Sequence, residues 1–300
     1  MRSLVALLLA GALVLPAAAT EWQVTTASAN SAHPTWCGNN IMFHSDRDGV
    51  FQIWGVGEQT GYAAWRVTNQ PWLSYTEPHW HCAGHWVSFC ETPASGPDSV
   101  AVVFDMALPA TPLTVTEGNG NDRSPHYTPD GIALHSDRNG HDDIYVINSG
   151  GEAQGLTRLT TSVAQDRCPA ISPDGEWIAF ASDRSGSFDI WVMSAAGEAD
   201  SLRQLTSGPA DDLEPAWSPG GTHVAFARGG AGIVAVDVAS RTEFAVTSSA
   251  GDASPAWSPE GDLLAFTRPG AYEQIWCTDN APPGTAANAA TWGSIKARYR

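Results

Sequence analysis

Six prolines, Pro34, Pro78, Pro125, Pro169, Pro215 and Pro255, recur at intervals of 44, 47, 44, 46 and 40 residues. No other feature constrains the fold of this 300-residue chain as tightly. Two residues after each proline stands a bulky apolar side chain: Trp36, Trp80, Tyr127, Ile171, Trp217 and Trp257. A period of this length is that of a four-stranded unit that cannot bury its flanks alone and must stack against its neighbours. The fourth copy is the most explicit. Cys168-Pro169-Ala170-Ile171 runs into the turn Ser172-Pro173-Asp174-Gly175, then the apolar run Trp177–Ala181, the turn Ser182–Gly186 and the run Asp189–Met193. Proline at a fixed φ, aspartate bonding its own backbone and glycine at positive φ reverse the chain at each turn. β-Branched and aromatic runs between the turns read as strands.

A fourth strand per unit ends in an apolar-Thr pair: Val67-Thr68, Val115-Thr116, Leu159-Thr160, Leu205-Thr206 and Val246-Thr247. One further pair, Val24-Thr25, precedes the first unit, and none follows the sixth. The expected architecture is therefore an all-β, six-bladed β-propeller with four antiparallel strands per blade. The segment around Trp22–Thr26 completes the last blade, a closure that removes the exposed edges of an open array.

Residues 1–19 carry a charged start, a short apolar run and Ala17-Ala18-Ala19, the pattern of a cleaved export signal. About twelve apolar residues are too few to span a bilayer. Residues 20–278 read as the propeller and 279–300 as an irregular tail. Export predicts a periplasmic or secreted protein that acts as a monomer. A formal charge of −17 disfavours nucleic acid as a partner and steers basic groups inward. Five cysteines without a C-x-x-C spacing indicate neither a redox motif nor a zinc ribbon, and a Cys37–Cys82 bridge is one pairing the blade positions allow.

Ser172–Gly175, Ile178-Ala179-Phe180, Ser182-Asp183-Arg184 with Gly186, and Asp189-Ile190-Trp191 resemble the repeat of the TolB-like propeller family, as do Ser45-Asp46-Arg47 with Gly49 and Ser136-Asp137-Arg138 with Gly140. The resemblance covers essentially the whole chain after the leader, without the N-terminal domain of full TolB. It implies a six-bladed scaffold of the cell envelope. The same scaffold also occurs beneath peptidase domains and in pectin-fragment lyases, so function must be argued from the site. Blades two and five lack the Ser-Asp-Arg turn, with Phe89-Cys90-Glu91 and Ala227-Arg228-Gly229 in its place.

Three residues before the repeat proline stand Asp122, Asp166, Asp212 and Asp252, with Ser31 and Tyr75 at the same place in blades one and two. Their position suggests carboxylates gathered at one mouth of the central channel, or else capping their own turns. His79 and His126 follow a repeat proline in adjacent blades, and His81 lies two residues beyond His79. No G-x-S-x-G elbow is present. The combined expectation is a non-enzymatic interaction module without a cofactor or metal. It would bind an envelope protein, a basic peptide or a small ligand through Asp122, Asp166, Asp212, Asp252, His79 and His126. The competing expectation is a carbohydrate-active lyase or hydrolase with a metal on His79, His81 and His126.

Overall fold

The computed structural model describes residues 20–57, 63–81, 85–93, 99–106, 113–116, 120–128, 131–148 and 155–282. The expected leader, most of the expected tail and the Cys82 half of the suggested bridge lie outside the described residues. Six antiparallel sheets of four strands each stand around a common channel. The inner strands, in chain order, are Ser31–Cys37, Leu73–His81, Asp122–Thr128, Asp166–Ile171, Asp212–Trp217 and Ala253–Trp257. Each contains one of the six repeat prolines, so the sequence period and the blade period coincide.

Closure follows the sequence expectation. Glu21–Gln23 pairs antiparallel with Gln274–Thr278 as the outermost strand of blade six. The seam between blades six and one is packed as well as paired. Trp36, Ile41, Phe43 and Val56 of blade one share a buried cluster with Leu263, Ala265, Ile275 and Cys277 of blade six, and Trp22 and Val24 cover it.

The conserved spacing of the threonines has a simple physical cause. In every blade the threonine Oγ1 accepts the N–H of a third-strand residue at 2.9 Å: Ile275 on Thr25, Ile53 on Thr68, Ala101 on Thr116, Ile144 on Thr160, Ile190 on Thr206 and Ile233 on Thr247. The ladder of the short outer strand has already ended there. The hydroxyl supplies an acceptor to a buried donor that would otherwise be orphaned. All six threonines are buried.

Each inner strand carries a bulge at its proline, where the register with the second strand slips. The residue before the proline takes positive φ in all six blades: His33 (52°), Glu77 (53°), Ser124 (48°), Cys168 (51°), Glu214 (55°) and Ser254 (51°). Residues preceding proline favour the extended region, and non-glycine residues rarely adopt positive φ. Six identical departures therefore amount to one conformational device repeated six times, and it shapes the channel wall.

Candidate functional site

The four aspartates sit at the start of their inner strands, 0–2% exposed, and none lines the channel cavities. Each is held by an arginine. Arg138 Nη2 reaches both oxygens of Asp122 at 2.7 and 2.8 Å, and Arg184 Nη2 those of Asp166 at 2.9 and 2.8 Å. Arg228 and Arg268 grip Asp212 and Asp252 bidentately through Nε and Nη2. Arg138 and Arg184 come from the Ser-Asp-Arg turns. Arg228 and Arg268 stand at the second-strand ends of blades five and six and also bind outer-strand Glu243 and Glu21. The arginine fork of the missing turn is thus kept in blade five. Blade one replaces the carboxylate with Ser31, whose Oγ accepts from Arg47, and blade two replaces the pair with Tyr75 against Phe89. These carboxylates fasten first strand to second and are not free charge at the mouth.

A buried ion pair that loses one partner leaves the other charge stranded. Arg184→Ala is therefore expected to cost about 3–5 kcal/mol. Urea unfolding would read this as a large drop in midpoint, whereas Arg241→Ala on the exposed surface should shift stability by less than about 0.5 kcal/mol. Equal midpoints for the two variants would contradict the structural role of the pair.

The turn aspartates are also spent on backbone. Asp46 accepts from the N–H and side-chain amide of Asn30, Asp137 from those of Asn121, and Asp183 from the N–H of Gln165. In blades one, three and four, each thereby ties the second–third hairpin to the entry of its own inner strand.

The residues that line the channel are the positive-φ residues themselves. His33, Glu77, Ser124, Cys168, Glu214 and Ser254, with Arg123, Arg167 and His135, surround a chamber of about 330 Å³. Five of the six donate their backbone N–H to a side chain one blade back. His33 donates to Thr267, Glu77 to His44, Ser124 to Glu77, Cys168 to His135 and Ser254 to Glu214, while the Glu214 N–H is directed at the Cys168 sulfur. A ring of inter-blade hydrogen bonds encircles the channel and holds the strained backbone in place.

Glu77 and Glu214 occupy opposite blades, two and five. Through Oε2 alone, Glu77 accepts the N–H and hydroxyl of Ser124 and the Cys90 thiol; Glu214 accepts the N–H and hydroxyl of Ser254. Neither Oε1 accepts a hydrogen bond among the described residues. Burial pushes the Glu77 carboxyl up, but His33, His135 and the Ser124 and Cys90 hydrogen bonds outweigh it and hold it below the usual range. It is ionised. Two cations share the wall: Arg167, tied to Asp142 at 2.5 Å, and the exposed Arg123. Burial, together with Glu214 and Glu77, pushes the Cys168 thiol well up, so it is no nucleophile at neutral pH.

His79 and His126 do meet at the channel, with ring centroids 3.6 Å apart and planes 32° apart. His81 turns instead to Tyr127. Face-to-face stacking does not point three ring nitrogens at one centre. Among the described residues no group of three His, Cys, Asp or Glu side chains is arranged to hold a metal ion. The expected three-histidine centre is therefore not formed, because one imidazole is used as the stacking surface of another.

Sequence reasoning missed the pre-proline ring. Its signal was the constant offset of one residue from the repeat proline, masked by side chains of unlike chemistry.

A closed ring of six four-stranded blades around a polar channel defines the class, a six-bladed β-propeller. The TolB beta propeller domain family, PD40, matches residues 78–280, and the chain belongs to that family. Among solved structures it is similar to a protein of Agrobacterium tumefaciens assigned as TolB (20% identity, 85% of this chain and 91% of that one, TM-score 0.69). It is similar also to a gluconolactonase from Xanthomonas campestris (15% identity, 88% and 90%, TM-score 0.66) and to TolB from Acinetobacter baumannii (20% identity, 73% and 55%, TM-score 0.61). The chain thus spans about half the length of the Acinetobacter protein. At these identities the likeness establishes the fold, which carries both binding proteins and enzymes.

Proposed function

We propose that this protein is an exported, non-enzymatic interaction module of the cell envelope that takes a basic segment of a protein, or a small cationic ligand, into the polar chamber of its channel. The export pattern over residues 1–19 and membership of the TolB propeller family support the location. One observation carries the binding role: Glu77 and Glu214 face the chamber from opposite blades, each fixed through one oxygen, while the other accepts no hydrogen bond among the described residues. Carboxylates held in advance by their neighbours lose little freedom on capturing a cation. The overall negative charge raises the local concentration of basic partners. His79 and His126, at the base of the same chamber, form an uncharged floor.

The test is capture from envelope extract at low salt, comparing the natural protein with Glu77→Gln/Glu214→Gln. Amide oxygens still accept from Ser124 and Ser254, so the ring of hydrogen bonds survives while the charge is lost. Basic proteins retained by the natural protein should fall at least tenfold on the variant. Identical recovery by both, with unchanged melting, would defeat the proposal. An Asp122→Asn variant should change melting rather than recovery, because its charge is already spent on Arg138.

A further inference from the structure

Beyond the proline collar lies a second chamber, of about 520 Å³, opening toward the hairpins that join first and second strands. Its chemistry is opposite to that of the first. Trp36, Trp80, Trp217 and Trp257 line it together with His79, His81 and His126, and among the described residues no Asp, Glu, Lys or Arg does. Burial pushes His79 down to about 3, holds His126 well below its ordinary value and lowers His81, so all three are neutral. In a chain of net charge −17, this is an uncharged room.

The repeat itself shows which groups here lack their partners. Trp217 Nε1–H donates to Ala170 O and Trp257 Nε1–H to Ala216 O, each to the residue after the repeat proline one blade back. Trp80 stands at the same place in blade two, yet among the described residues its buried Nε1–H has no acceptor. Likewise the residue after the proline accepts a backbone N–H from the next blade: Thr35 accepts from Trp80, and His126 Nδ1 from Ile171. His79 occupies that place in blade two, and among the described residues neither its buried Nδ1 nor the buried Nε2 of His81 has a hydrogen-bond partner. Three polar atoms of one strand, His79-Trp80-His81, are therefore left unpaired beside an aromatic chamber. Buried polar groups without partners are rare and costly, and a bound molecule is one of the few things that explains them.

We propose that this second chamber is a binding site for a neutral sugar of one or two rings. This site is separate from the cationic one and does not depend on it. Absence of counter-charge penalises any charged ligand that enters. Flat indole faces favour a ligand with an apolar face, and the site still demands polar contacts. Trp80 Nε1–H is a donor, and His126, whose Nδ1 already accepts, carries its proton on Nε2. His79 Nδ1 is free to accept or donate. Hydroxyl groups serve donors and acceptors alike, whereas a proline-rich strand would offer carbonyl acceptors only.

The experiment is titration calorimetry of the full chain with maltose, cellobiose and N,N′-diacetylchitobiose, alongside galacturonic acid and glucosamine. At least one neutral disaccharide should bind with a Kd below 1 mM, roughly 4 kcal/mol of affinity, and both charged sugars at least tenfold more weakly. Trp80→Phe, which keeps an aromatic ring and removes the indole N–H, should weaken binding at least fivefold while the protein still melts cooperatively. Glu77→Gln/Glu214→Gln should leave sugar binding intact, separating this site from the cationic one. Silence of all three neutral sugars, tighter binding of a charged one, or binding only of a proline-rich peptide would overturn the proposal.

Discussion

Removing residues 20–26 is expected to destroy the cooperative fold rather than trim its edge. The deletion takes the outer strand Glu21–Gln23, the Thr25 hydroxyl that accepts from the Ile275 N–H and donates to Gln274 Oε1, the Glu21–Arg268 ion pair, and Trp22 and Val24 from the seam core. Losing a half-buried tryptophan and valine, a whole strand ladder and several buried hydrogen bonds removes about 5 kcal/mol or more, comparable with the whole stability of a domain. The third strand of blade six, Gln274–Thr278, then presents an unpaired edge that invites association with a second chain. Size-exclusion chromatography should show larger species, and the thermal midpoint should fall by well over 10 °C. A variant that elutes and melts like the intact chain would show that the seam is held by blades six and one alone.

Acid should unfold the protein at a pH where most acidic proteins are still comfortable. Burial and the nearby His33 push His44 down to about 3, against the partial opposition of Glu77. Burial and His81 push His79 down to about 3, and burial with His79 and His81 holds His126 well below its ordinary value. In the unfolded chain all three titrate near their ordinary value of about 6.5. The unfolded state therefore binds more protons than the folded one below that pH. Stability is full above it and declines as pH falls toward 3. Each histidine costs roughly 1 kcal/mol per pH unit, so the three together remove several kcal/mol between pH 6.5 and 5. Urea midpoints measured across that interval should fall steeply, and His44→Gln, which keeps an acceptor for the Glu77 N–H, should flatten the fall. A midpoint constant from pH 7 to 5 would mean that these imidazoles are protonated in the folded protein.

The architecture was legible because its determinants are local and repeated. Proline, the turn quartet and the apolar-Thr pair each act within a few residues, and the period adds them up. Even the noncovalent seam could be read, since Val24-Thr25 precedes the first blade and no such pair follows the sixth. The site was less legible for two reasons. Asp122, Asp166, Asp212 and Asp252 were visible as a periodic set, but their neutralisation depends on arginines 16 or 18 residues away, whose side chains fold back across the first two strands. The pre-proline ring was hidden by a conformation that local preference opposes. Nothing about Glu77 or Glu214 alone predicts positive φ; six bulges acting against the preceding blade impose it. Histidine clustering was partly readable, because His79 and His126 share a register, whereas the stacking that keeps them from converging depends on tertiary approach.

The six threonine latches make every junction between third and outer strand chemically alike, including the one in blade six where the backbone is interrupted. The location of the chain ends is then an arbitrary choice among six equivalent gaps. A circular permutant that joins the present ends through a flexible linker and opens between Ser194 and Arg203 should rebuild the same ring, with Arg203–Gln204 now docking from the new N-terminus on Asp189–Ser194.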